Sequence, residues 1–346
     1  MPQSKQIEEN NLQEAKLSLI ENNGITVREI IHLCYNWKME REAFTEMTTW
    51  QVVDQIILPI TRANNLTYCD YIRSINLQAV GEAQVFVSHA WRSNFTEMVD
   101  ALSSYFKDDL DTYVWIDIFS VNQHNSGHGT AFLSWTEYFQ RKIRSIGKTV
   151  LVIGDNWKDP EVLRRSWCIY ELFCTYQVKA DFDIAMNQRG EKKLIEEINE
   201  NPGCLKEIIG TVDYRKAQTS NNCDKILIDQ VLNETNCSER FNQFIVGKLL
   251  NWITERCDRV CRDCHWRDPQ QPNASGGNKN FVDINPKALE ICGSVRDEPL
   301  LNDLFLSYHK QVKKGRMQRL VPTLDLTSSS VSSLRCSRLH HGMTTR

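Results

Sequence analysis

From Val85 onward the chain alternates short, unbroken apolar runs with segments whose apolar residues recur at helical spacing, and few folds accept that alternation. The first run is Val85-Phe86-Val87-Ser88-His89. Asn94 then opens a segment whose apolar positions Phe95, Met98, Val99, Leu102 and Phe106 share one helical face. The second run is Tyr113-Val114-Trp115-Ile116-Asp117-Ile118-Phe119. After a loop with Gly127 and Gly129, Ser134-Trp135-Thr136-Glu137 has capping-box spacing, and Trp135, Phe139, Ile143 and Ile146 follow as a buried stripe. Thr149-Val150-Leu151-Val152-Ile153 is the third run. Asp159-Pro160 supplies an N-cap and a first-turn proline for a helix running through Trp167 to about Val178. Phe182-Asp183-Ile184-Ala185-Met186 is a weaker strand. Apolar strands separated by helices require a parallel sheet covered on both faces. Ligands of such sheets sit beyond the carboxyl ends of the strands, near the point where strand order reverses. That rule singles out Ser88-His89-Ala90-Trp91, the stretch from Asp117 to Gln123, and the loop after Ile153.

The flanks read as helix. Thr26-Val27-Arg28-Glu29 is a capping box ahead of Ile30, Ile31, Cys34 and Trp37. Thr48 or Thr49 caps a second helix carrying Val52, Val53, Ile56 and Ile57, which Pro59 should kink or end. Trp50, Ile56 and Tyr68 are expected in the core. Beyond the α/β stretch, Leu194, Ile195 and Ile198 begin one helix, and Ile226, Ile228, Val231 and Leu232 mark another. Phe241, Phe244, Ile245, Leu249, Trp252 and Ile253 mark a third. The expected organisation is a flexible N-terminus at 1–14, a helical lead-in at 15–79, an α/β unit at 80–190, a helical trailer at 191–266, and a basic, Ser-rich, disordered tail at 267–346.

The formal charge of −3 hides an asymmetry, because residues 310–346 carry +7 and the rest −10. A near-neutral total gives no case for nucleic-acid binding. The polar start has no apolar signal region, and no stretch approaches the roughly 20 apolar residues that span a bilayer. The expectation is a cytoplasmic protein without a transmembrane segment, its twelve cysteines mostly free thiols.

Three local patterns imitate chemistry. Gly147-Lys148-Thr149 resembles the end of a phosphate-binding loop, but position 142 is Lys where that loop needs Gly, and the segment leads into a strand. Gly127-His128-Gly129 lacks the third glycine of a dinucleotide fingerprint, since position 132 is Phe. Cys257, Cys261, Cys264 and His265 have spacings seen in iron–sulfur and haem attachment motifs. No context accompanies them, and adjacent Cys264 and His265 make tetrahedral zinc geometry awkward. No metal is assigned. Zinc binding and free thiols at a helix end both stay open for these four.

Four ordered pieces carry a family resemblance. Phe86-Val87-Ser88-His89 is similar to the first-strand motif of TIR (Toll/interleukin-1 receptor) domains, and Trp115-Ile116-Asp117 to their second strand. Ile143 to Val152, with Ser145, resembles the approach to their third strand. Trp167-Cys168-Ile169-Tyr170-Glu171-Leu172 after Ser166 resembles the box on their third helix. Trp115-Ile116-Asp117-Ile118-Phe119-Ser120-Val121-Asn122-Gln123 is also similar to a signature of fungal heterokaryon-incompatibility domains. The whole resembles TIR-like modules of protist and small-invertebrate proteins, firmly over about residues 80–190. It implies a flavodoxin-like parallel sheet of about four to five strands with helices on both faces.

The resemblance implies an intracellular signalling protein that self-associates through this domain and meets other signalling proteins. Some TIR domains hydrolyse NAD+ at the nicotinamide–ribose bond with the Glu of that box, here Glu171. NAD+ is then a substrate, and no bound cofactor is implied. A carboxylate near the ribose suits an oxocarbenium-like transition state, and nicotinamide leaves without a strong general acid. Ser88, His89, Trp91, Asp117 and Ser120 would line the pocket. His89 and Trp91 depart from the usual residues after the first strand, and the loop 120–133 is long. Trp167, Glu171 and Cys174 share a helical face, so Glu171 is expected beside an aromatic ring and a thiol. Two readings stay open: an NAD+ nucleosidase, or a non-enzymatic adaptor in a defence or cell-death pathway with Glu171 tied to backbone, Arg164 or Arg165.

Overall fold

The computed structural model describes residues 22–40, 42–124, 132–201, 204, 213–219, 222–234 and 238–265. The N-terminus at 1–14, the glycine loop at 127–129 and the tail at 267–346 lie outside them. So do the side chains of Cys261, Cys264 and His265.

The strands are Asn23–Thr26 (β1), Val80–Glu82 (β2), Val85–Ser88 (β3), Tyr113–Trp115 (β4), Lys148–Val152 (β5) and Asp181–Ala185 (β6). They form one six-stranded sheet in the order β2-β1-β4-β3-β5-β6. β4, β3, β5 and β6 are parallel, with Phe86 opposite Trp115 on one side and Thr149 on the other. β1 is antiparallel to both β2 and β4. The α/β class therefore holds, but the sheet is mixed and longer than the parallel sheet expected. The lead-in is not wholly helical either. Asn23-Gly24-Ile25-Thr26 is too short to show a period, and its strand exists because β4 offers it an edge.

The lead-in helices are Val27–Glu40 (α1), Thr49–Val52 (α2), Leu58–Thr61 (α3) and Tyr68–Ile75 (α4). Thr26 Oγ1 accepts from the Glu29 amide, and Thr48 closes a reciprocal capping box with Gln51. Pro59 does not end its helix. A π turn at Val53–Ile57 joins α2 to α3, and the Leu58 amide reaches back to Val53 O. That wider turn absorbs the carbonyl that a proline would otherwise crowd. The helix stops at Asn65, which is left-handed with φ 51°. Trp50 is 56% exposed and outside the core, because Thr49 and Val52 form the inward face of α2.

The remaining helices are Phe95–Tyr105 (α5), Asp117–Ser120 (α6), Phe132–Ile146 (α7), Ser166–Val178 (α8), Gln188–Glu200 (α9), Asn222–Glu234 (α10) and Ser238–His265 (α11). Asp159-Pro160 opens a 3-10 turn at Glu161–Arg164 rather than one long helix. Arg165 is extended because Gln218 takes its neighbours' backbone groups, donating to Arg164 O at 2.7 Å and accepting from the Ser166 amide at 2.9 Å. On α10, Ile228 and Leu232 face inward while Ile226 is exposed.

Side chains alternate across β3. Val85 and Val87 join a cluster with residues of α1, α2, α4 and α5, whereas Phe86 joins a cluster with α7, α8, α10 and α11. Phe86 stacks on Trp115 at 4.7 Å, with Phe139 edge-on to both. The trailer is continuous with this second layer, since Leu194, Phe241, Ile245 and Trp252 belong to the same cluster as Phe86. The connection through α5 places β4 on one side of β3, and the connection through α7 places β5 on the other. Strand order reverses at β3.

Gly24 tests the register of the unexpected strand. A Cβ there would lie 2.9 Å from Ala83 Cβ and 3.1 Å from Val114 O. Gly24→Ala should cost about 1–3 kcal/mol in urea unfolding, as overpacked sites do. Unchanged stability would mean that β1 does not sit between β2 and β4.

Candidate functional site

Ser88, the last residue of β3, falls on the same side of the sheet as Phe86 and faces α8. α8 is buried over most of its surface, from Ser166 to Thr175 with Trp167 half-buried, and Glu171 is its one acid. Ser88 Oγ donates to Glu171 Oε2 at 2.6 Å, and the two residues are 1% and 7% exposed. One turn on, Thr175 Oγ1 donates to Glu171 O and meets Thr149 Oγ1 of β5 at 2.9 Å, which pins the helix to the sheet.

The loop after β3 adds His89 and Trp91. Trp91 Nε1 donates to Asp117 Oδ2 at 2.8 Å. His89 Nδ1 lies 3.9 Å from Asp117 Oδ1, and its Nε2 is buried without a partner. Cys168 Sγ donates to His89 O at 3.2 Å, joining α8 to the same loop. Ser88, His89, Trp91, Asp117 and Glu171 therefore converge beyond the carboxyl ends of β3 and β4, where strand order reverses. Ser120 does not join them. The chain turns into α6 directly after β4, and Ser120 Oγ lies 3.8 Å from Cys69 Sγ of α4. Cys168 was not among the expected site residues; its place in the Trp-Cys-x-x-Glu-Leu box, three residues before Glu171, was the available signal.

One of the open readings ties Glu171 to backbone, Arg164 or Arg165. Arg164 is taken by Asp159, and Ser88 supplies the hydrogen bond to Glu171. Burial pushes the Glu171 carboxyl well above its ordinary range, and the negative charge of Asp117 adds to this; the Ser88 hydrogen bond opposes both. Burial lowers the His89 pKa against the pull of Asp117. Burial also raises the thiols on either side of Glu171, Cys168 strongly and Cys174 to about 12. His89 and both thiols are thus neutral near pH 7, and Glu171 is pushed toward its neutral form. An enclosed carboxyl pushed toward its neutral form is poorly suited to stabilise positive charge.

A cleft of about 610 Å³ lies elsewhere, along α5 between the Glu42–Glu46 turn and the start of α9. Glu97, Asp100, Asn187 and Arg189 line it, and Arg189 pairs with Glu97 and with Asp155 behind it. None of the expected site residues lines it.

Among the described residues, no group of three or more His, Cys, Asp or Glu is arranged to hold a metal ion. Of the four-residue cysteine–histidine run, Cys257 is buried against the second layer. Among the described residues, no helix is long and apolar enough to cross a membrane. Comparisons with protein-family models, curated proteins and solved structures find no match for this chain.

The pKa of Glu171 carries a stability signature. Above the ordinary carboxylate value near 4.3, the unfolded chain releases this proton and the folded chain keeps it, so the carboxyl subtracts about 1.4 kcal/mol of stability per pH unit until its raised folded pKa is reached. Glu171→Gln removes that term and leaves His89 in place. The parent should therefore lose stability relative to the variant as pH rises from about 5 to 7, measured by urea unfolding. A difference that does not change with pH would show that Glu171 is ionised when folded.

Proposed function

We propose that this chain is a TIR-like intracellular signalling protein that works by association, its switch-point cluster serving to hold the domain together. The observation that carries this reading is the enclosed Ser88–Glu171 pair: a carboxyl 7% exposed, hydrogen-bonded at 2.6 Å and pushed toward its neutral form by burial. Stabilising an oxocarbenium-like state needs a charged carboxylate within reach of the ribose. The parallel part of the sheet, in the order β4-β3-β5-β6, supports the flavodoxin-like aspect of the resemblance. A cytoplasmic location and self-association with other signalling proteins follow from the resemblance and belong to the same proposal.

A second reading keeps NAD+ hydrolysis, and a specific observation favours it. Four of the five residues expected to line a nucleotide pocket, Ser88, His89, Trp91 and Asp117, meet Glu171 at the switch point, where α/β sheets place their ligands. In that reading the enclosed form is a resting state, and NAD+ is its substrate.

One preparation separates the two. The protein, concentrated until light scattering detects self-association, should release no nicotinamide from added NAD+. Nicotinamide release that disappears in Glu171→Gln would replace the association reading with the enzymatic one. A chain that stays monomeric at every concentration would count against association through this domain.

A further inference from the structure

We propose that the lead-in stretch from Met47 to Asn65 is an autoinhibitory strap that holds the loops after β3 and β4 closed over the Ser88–Glu171 pair. The inference rests on the second reading above, in which the enclosed switch-point cluster is a resting state. The strap grips the first loop through its backbone. The Trp50 amide donates to Trp91 O at 2.9 Å, the Thr49 amide to Ser93 O at 3.0 Å, and the Phe95 amide to Met47 O at 2.9 Å. It grips the second loop through side chains. Asn122 Nδ2 donates to Asn65 O at 2.7 Å, and His124 Nε2 lies 2.9 Å from Thr61 Oγ1. The Thr61 hydroxyl already donates to Ile57 O at 2.7 Å, so the histidine ring is the donor to it.

The first gripped loop is bonded to the second, and the second folds back on itself, at Asp117. Trp91 Nε1 and Gln123 Nε2 both donate into Asp117, one to its carboxylate and one to its carbonyl, each at 2.8 Å. A continuous path thus runs from Thr61 and Asn65 through Asn122, Gln123 and Asp117 to Trp91, His89 and the thiol of Cys168 beneath. Release at one end loosens what covers the other.

The closed arrangement leaves polar groups unsatisfied on both sides of the grip. Thr49 Oγ1 on the strap and His89 Nε2 beneath the loop are buried without partners. Opening to water satisfies both, which favours an open state that the strap's own hydrogen bonds hold off. The π turn at Val53–Ile57 lies between the two gripping ends. Such a turn is an inserted residue, and relaxing it would rotate the distal end by about 100°, one residue's share of a helical turn. The strap can therefore let go of the second loop while keeping the first.

Cys168 reports the closure without any assay of function. In the full chain, native-state alkylation by iodoacetamide, followed peptide by peptide, measures exposure of each buried thiol. Thr61→Val combined with Asn122→Ala removes the side-chain grip at little change in volume in the helix. We expect Cys168 to label about ten-fold faster in this variant, with Cys174 and Cys257, both buried, at their parent rates. Thr61→Val alone should shift Cys168 in the same direction by less. Parent-like labelling of Cys168 in both variants would overturn the strap. So would a common acceleration at Cys168, Cys174 and Cys257, which would mean that these contacts hold up the whole fold. Neither nicotinamide release nor self-association enters the readout, so the strap and the function reading fail separately.

Discussion

Strand β3 is buried on both faces from Val85 to Ser88, and its last residue is a serine that looks into a helix almost entirely out of water. Everything at the switch point follows from that placement. A carboxyl on that helix has no solvent to ionise into, and Ser88 is the group that meets it. The hydrogen bond of 2.6 Å gives Glu171 a donor and works against the burial that raises its pKa. Asp117 reinforces that rise, because a second negative charge nearby makes ionisation of Glu171 less favourable still. Asp117 in turn has its own donors, the Trp91 indole and the Ile118 amide. One carboxyl is therefore pushed toward its neutral form by enclosure, and the other accepts from two donors. The difference is that Glu171 lies within the buried helix α8, whereas Asp117 opens α6 directly after β4.

The lead-in and trailer are not appendages to this sheet. β1 supplies its antiparallel edge partner to β4, and α1, α2 and α4 cover one face. α10 and α11 cover the other, sharing a cluster with Phe86 and Trp115. A boundary drawn at 80–190 marks where the strand–helix pattern is clear. It does not mark a unit with a core of its own. The same integration gives the lead-in its hold on the loops after β3 and β4, to which its residues hydrogen-bond.

Much of the fold was legible in the chain. The four parallel strands, the caps at Thr26, Thr48 and Asn94, and the helical faces of α5, α7 and α11 each announce themselves within a few residues. The failures were also local in cause. β1 has four residues and needs a partner edge to exist, so no window could reveal it. Trp50 looks like core by type but lies on the outward side of a one-turn helix. Pro59 looks like a stop, yet a π turn upstream accommodates it. Ser120 looks like a pocket residue if the chain stays extended after Asp117, and it does not.

At the site, the strand-end rule by itself pointed to Ser88, His89, Trp91 and Asp117, and the resemblance of the helical box pointed to Glu171, because both can be read from a linear string. Only the tertiary structure decided that Glu171 is enclosed with its pKa raised, that Ser88 is its partner, and that Cys168 lies against the carbonyl of His89. Protonation state depends on solvent access and on charges brought from distant parts of the chain. Ser88 and Glu171 are 83 positions apart, and no local pattern encodes the water that folding removes from between them.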